Sequence, residues 1–129
     1  MLKYFKDAKK RRKEMQKIGK KYDDGKPKVG MVFSYFAKPL LAVAEVGTYG
    51  WKKYANDKFW DSNWWAVENG RERYLDAAMR HLLAYMSGET RDAESGHHHV
   101  HHAAWDLLAV IYFIMEEEKN EQRQNNSIR

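Results

Sequence analysis

A chain of 129 residues with no cysteine, 14% aromatic residues and a formal net charge of +5 fits one domain with tails, long enough for a packed core. The missing thiols exclude disulfides and thiolate metal sites and agree with a reducing compartment. No apolar run approaches the roughly 18 residues of a membrane span, and the basic start lacks a signal peptide's apolar block, so a cytoplasmic protein without a membrane segment is expected.

The charge is unevenly spread. Residues 1–28 carry twelve Lys/Arg against four Asp/Glu, while residues 29–129 carry eleven against fourteen. The basic character therefore belongs to the first segment. Such a segment can touch nucleic acid, anionic membrane or nucleotide phosphates, or can simply be solvated. Residues 3–21 can form a helix, but Tyr4, Phe5, Met15 and Ile18 are its only large apolar positions. YDDGKPKVG, residues 22–30, reads as a loop in which Gly25 takes a positive φ. Lys26 and Lys28 could meet a phosphate there, and a plain connector is the equal alternative.

Residues 31–54 read as a long helix, apolar on nearly every side and so buried on most of them. Pro39 removes a backbone donor, so the helix either starts near Lys38 or kinks; a start near Lys38 is the reading adopted. Glu45 is the only acidic residue between Asp24 and Asp57. A carboxylate in an apolar helix is costly unless paired or bound to a cation. KFWDSNWWAVENG follows, an aromatic loop with Phe59, Trp60, Trp64 and Trp65. Its rings suit either base stacking or a small satellite core.

A second strong helix is expected over 71–87, with Leu75, Met79, Leu82 and Met86 in periodic array and Gly88 at its end. A third is expected from Ser95, a plausible N-cap, to about Glu118. The remaining tail is polar and expected to be disordered. No strand pattern competes.

Between and within these two helices lies RHLLAYMSGETRDAESGHHHVHHAAWD, residues 80–106, which holds all six histidines. At 100° per residue, His99, His102 and Asp106 fall within about a 60° arc. His97, His98 and His101 point elsewhere and are expected to be exposed. Imidazole beside carboxylate suits a divalent metal or a polarised water. With no Gly-rich phosphate loop, serine-nucleophile motif or dinucleotide fingerprint, metal-assisted hydrolysis in a helical bundle is the expected chemistry.

YDDGKP, TYGWKKY, NW and the 80–105 run together resemble a phage-associated family of dATP/dGTP diphosphohydrolases, among the MazG-like all-α nucleotide pyrophosphohydrolases. The resemblance spans roughly residues 22–118. It implies hydrolysis of a deoxypurine nucleoside triphosphate to monophosphate and pyrophosphate, with Mg²⁺ or Mn²⁺, in a homodimer or homotetramer. Glu45, Arg80, His81, Glu89, Asp92, Glu94, His99 and His102 match the family pattern. The Glu-x-x-Glu and Glu-x-x-Asp pairs of the wider group are absent as such. Thr48 stands at i+3 of Glu45, and His99 and His102 stand where carboxylates are expected.

The resulting expectation is an all-α, MazG-like bundle of three main helices, completed by oligomerisation, because one small monomer cannot bury such apolar helices. A basic segment at 1–21 and a polar tail at 119–129 flank a domain at 22–118. Glu45, Asp106 and Glu94 are the expected metal ligands, with Glu45, His99 and His102 catalytic. Arg80, Lys53 and Lys26 would neutralise phosphate charge, with His81, Glu89 and Asp92 also in contact with substrate. Trp64 would stack on the base and Asn63 read its edge. The alternative is a non-enzymatic phage module that binds nucleic acid through its basic segment.

Overall fold

The computed structural model describes residues 1–15, 17–55 and 62–129. Phe59 and Trp60 of the aromatic loop lie outside them. The described residues form an all-α structure: α1 (Leu2–Met15), α2 (Val29–Tyr54), α3 (Gly70–Met86) and α4 (His99–Ser127), with a 3-10 turn at Trp64–Ala66. The chain divides into two compact units, Met1–Val32 and Phe33–Arg129.

In the first unit α1 is shorter than expected. It ends at Met15, and Lys17 N–H closes a turn onto the Glu14 carbonyl at 3.1 Å. Tyr4 and Phe5 are exposed on it, and Arg12 and Lys13 in its last turn oppose the negative end of the helix dipole. Gly25 has the positive φ (77°) expected of an Asp-Gly turn.

Helix α2 corrects two expectations. It does not begin near Lys38 but runs on from Val29, with Phe36 out of helical geometry at φ −112°, ψ 21°. Pro39 lacks an N–H and crowds the carbonyl four residues back, so the distortion falls in the turn before it. Nor is the helix buried on most sides: within this chain only Val46 is buried, and Met31, Val32, Phe33, Tyr35, Phe36 and Leu41 are exposed. By length and composition α2 could also cross a membrane, with an 18-residue window of mean hydropathy 1.4. Gly, Ser and Tyr break the run of aliphatic residues without making the segment polar, which is how a search for unbroken runs passes over it.

Helices α3 and α4 pack together closely because their contact is lined by small residues. Ala78, Ala103 and Ala109 are buried, with Val110 beside them. Gly70, the first residue of α3, lies against the Phe113 ring, where a Cβ would overlap the ring carbons. The 3-10 turn docks on this pair through aromatic rings. Trp64 meets Trp105 and Tyr112 edge-on at 5.8 and 4.9 Å, and the Tyr74 hydroxyl donates to the Trp64 carbonyl at 3.2 Å. Helix α2 leans on α4 through longer side chains; the Tyr49 ring stands edge-on to His97 and His102.

At α4 two further expectations are corrected. Its N-cap is His98, whose Nδ1 accepts from Val100 N–H at 3.2 Å, rather than Ser95. The polar tail continues the helix to Ser127, as a run of Glu, Lys, Gln and Arg allows. Glu117 also reaches Arg71 of α3 at 3.3 Å.

Candidate functional site

The site grows from the loop between α3 and α4. Gly88 and Gly96, with φ of 99° and 74°, turn the chain out of α3 and back into α4. Asp92 N–H donates to the His97 carbonyl and His99 N–H to the Thr90 carbonyl, which fastens the loop across the start of α4. The Asp92 carboxylate then turns inward and accepts from Ser95 N–H at 2.8 Å. Ser95 is thus spent on the loop: its hydroxyl accepts from His97 N–H at 3.2 Å and sits 2.6 Å from His102 Nε2.

Three histidines meet below this loop. His81 of α3 and His99 of α4 approach Nδ1 to Nδ1 at 2.8 Å, so one ring donates and the other accepts. The His81 and His102 rings stack at 4.4 Å, 9° from parallel. His99 is buried, and its Nε2 has no hydrogen bond among the described residues; Glu89 Oε1 lies 3.3 Å away, close enough for an ion pair but outside hydrogen-bond geometry. Among the described residues, one group of three or more His, Asp and Glu side chains has its ligand atoms close together. It is His81, Asp92 and His99, all within 4.8 Å of one another.

These groups border a cavity of about 1020 Å³ between α2 and the α3–α4 pair. His81, Asp92, His102, Glu94, Lys53 and Arg80 line it, as do Trp64, Tyr74, Trp105 and Asp106. Lys53 Nζ contacts Glu94 Oε1 at 2.6 Å, which holds the ammonium charged and the carboxyl below its usual range.

Burial sets the other charge states. Desolvation lowers His102 to about 4, helped by the His81 charge, so its ring is neutral at neutral pH. His81 is lowered for the same first reason. Burial would raise Asp92, but the bonds from Ser95 and the neighbouring histidines outweigh it and hold the carboxyl low. Asp106 has no such support. Burial pushes it up to about 7 although the Arg80 charge pulls the other way, and its Oδ2 has no hydrogen-bond partner among the described residues.

Lys53, Trp64, Arg80, His81, Asp92, Glu94, His102 and Asp106 thus share one cavity, with His99 and Glu89 behind it. Glu45 is exposed and is not among the lining residues. Asn63 is exposed with φ 49°, just before the 3-10 turn, and Lys26 is exposed in the first unit's loop. His97, expected to be exposed, is half-buried against His102, and His98 and His101 are half-buried as well, stacked on each other at 5.0 Å. Tyr49, Tyr74, Ser95 and Trp105 are site residues that the sequence reading missed. The first was within reach, since Tyr49 lies one helical turn before Lys53.

A profile of the family described as "dATP/dGTP diphosphohydrolase, N-terminal" matches residues 16–123. A "dATP/dGTP diphosphohydrolase" of Salmonella phage PMBT28 is 30% identical over 92 residues, covering 71% of this chain and 28% of the phage protein. The chain therefore spans well under a third of that relative's length. No solved structure matches significantly. The profile match covers most of the chain, and the chain belongs to the dATP/dGTP diphosphohydrolase N-terminal family.

Proposed function

We propose that this chain cleaves a deoxypurine nucleoside triphosphate to the monophosphate and pyrophosphate, as the helical module of a phage-type enzyme working in the host cytoplasm. The observation that carries the reading is the cluster of His81, Asp92 and His99, which shares two members with the lining of a cavity of nucleotide size. Lys53 and Arg80 on the same lining supply positive charge for phosphate oxygens, and the aromatic wall supplies faces for a base.

The cluster fits a divalent metal. His99 Nε2 is a buried nitrogen without a hydrogen bond among the described residues, and imidazole with carboxylate is a donor set that suits Mn²⁺ better than Mg²⁺, which prefers oxygen ligands. His81, Asp92 and His99 would hold the ion. When bound it would stabilise charge on the phosphoryl group and lower the pKa of a water.

The chain's own groups do the rest. Ser95 N–H fixes the Asp92 carboxylate, and the Ser95 hydroxyl fixes His102. His102, held neutral, accepts a hydrogen bond from the attacking water and orients it; its low proton affinity makes it a poor resting place for that proton. Lys53 and Arg80 neutralise the charge that builds on the pyrophosphate leaving group. Glu94 keeps Lys53 charged and placed. Glu45 is exposed on α2 and does not line this cavity, so this mechanism gives it no part.

The exposed apolar residues of α2 support a MazG-like bundle completed by a second copy, as a homodimer or homotetramer. Sedimentation in aqueous buffer would show a dimer or larger; a monodisperse monomer would exclude it.

The activity is tested with purified protein, each deoxynucleoside triphosphate in turn and Mg²⁺ or Mn²⁺, with products separated by chromatography. Deoxypurine monophosphate and pyrophosphate are expected. Release of orthophosphate or of an intact triphosphate chain would show a different reaction.

A further inference from the structure

Among the described residues, none completes the Asp106 carboxylate of the site. It is 8% exposed, it lines the cavity, and its Oδ2 has no hydrogen-bond partner among the described residues. The group of potential metal ligands nearby is His81, Asp92 and His99, and Asp106 is outside it. A buried polar atom left unsatisfied costs on the order of 1–3 kcal/mol unless a ligand completes it.

The surroundings of Asp106 indicate which ligand. Trp64, Tyr74 and Trp105 line the same cavity, with Trp64 and Tyr74 each edge-on to the Trp105 ring at 5.8 Å, and the Asp106 charge is felt at the Tyr74 hydroxyl. Aromatic rings and a carboxyl on one cavity lining suit a flat heterocycle with hydrogen-bonding edges. Along α4, Asp106 is seven residues beyond His99, about 10 Å at 1.5 Å per residue, a separation suited to a nucleotide with its phosphates at one end and its base at the other.

We propose that Asp106 reads the edge of the purine base, beside the aromatic cluster of Trp64, Tyr74 and Trp105. The inference rests on the nucleotide reading above and deepens it. An ionised carboxylate accepts two bonds side by side, which matches the ring N–H and amino donors of guanine. A protonated carboxyl donates one and accepts one, which matches the ring nitrogen and amino group of adenine. One side chain can therefore serve both deoxypurines, each with its own protonation state. Burial supports this, since it brings the carboxyl to about 7, where both forms are populated; Arg80 and Tyr74 of α3 are the ionisable groups facing it.

Asp106→Asn separates the two modes, because a carboxamide keeps one donor and one acceptor but cannot accept twice. The ratio of kcat/KM for dGTP over that for dATP is expected to fall about ten- to a hundredfold, the discrimination of a good bidentate pair. The Mn²⁺-induced rise in melting temperature is expected to persist. Should the Asn variant not fold, Asp106→Gln, which carries the same single donor and single acceptor, is expected to show the same fall. An unchanged ratio, or loss of the Mn²⁺ response, would overturn the proposal, the latter by making Asp106 a metal ligand. If the wild-type protein turns over neither nucleotide, the proposed activity fails. Quenching of tryptophan fluorescence by dGMP then tests the pocket alone: quenching by wild type that weakens at least tenfold in Asp106→Asn supports it, and equal quenching or none overturns it.

Discussion

The His81 and His102 rings lie face to face, 4.4 Å between centroids and 9° from parallel. Two imidazolium ions cannot share that arrangement comfortably, and burial already disfavours charge on either ring. His102 is accordingly held at about 4 and His81 below its usual value. The stack therefore works as a neutral pair, free to offer lone pairs to a metal or a water.

The stack makes stability depend on acid. The folded-state pKa of His102 is below its unfolded value, so the unfolded chain takes up more protons as pH falls. Stability is present above about pH 6.5 and is lost as pH falls towards 4. Replacing the titrating ring by glutamine should flatten urea-unfolding free energies across that window by on the order of 2–3 kcal/mol. An His102→Gln protein with the same pH slope as wild type would show that the ring is not held neutral.

Metal binding should separate two carboxylates that looked alike in sequence. Asp92 is in the cluster with His81 and His99, whereas Glu45 is exposed on α2. A ligand at a hundred times its Kd stabilises a fold by about 2.7 kcal/mol. Melting curves with and without Mn²⁺ should show that gain in wild type and in Glu45→Gln, and little of it in Asp92→Asn or His99→Gln. Loss of the gain in Glu45→Gln would return Glu45 to the metal site.

The contrast shows where sequence was a good guide. The inward arc of His99, His102 and Asp106 is an angular property of one helix, and all three side chains turn inward: His99 and Asp106 are buried and His102 half-buried. The all-α class followed from periodicity in the same way. The burial of Glu45 was argued from an apolar helix, but the residue is exposed, because how much of α2 is covered depends on neighbours that a one-helix pattern does not contain. The kink at Phe36 was open as an alternative, since Pro39 permits both a helix start and a break. Ser95 was read as a cap by residue type. Loop bonds to Asp92 and His102, set by Gly88 and Gly96, gave it a different task.

Close packing of α3 on α4 predicts a steric cost at Gly70. A Cβ there overlaps the Phe113 ring, which is itself stacked on Tyr74 at 6.0 Å. Gly70→Ala should destabilise by roughly 1–3 kcal/mol, the usual range for overpacking. Phe113→Leu in the same chain should recover part of that loss, and a double-mutant cycle would measure the coupling. Additive effects would mean that the two residues do not touch.

Asp106 should act on stability in the opposite sense to His102. Its folded-state pKa, about 7, is above the ordinary aspartate value of 3.8, so the folded protein holds the proton more tightly than the unfolded chain. Stability from this group is complete below about pH 4 and is lost as pH rises towards 7, where a buried charge must be carried. The loss amounts to roughly 2–4 kcal/mol by the size of the shift. Asparagine keeps the shape and cannot ionise, so Asp106→Asn should gain on wild type steadily from pH 4 to pH 7 and then hold a constant advantage. Because His102 titrates in an overlapping window, the difference between the two unfolding curves is the quantity to read. A difference that stays flat with pH would mean that Asp106 ionises as freely in the folded protein as in the unfolded chain, and that its carboxyl is not buried.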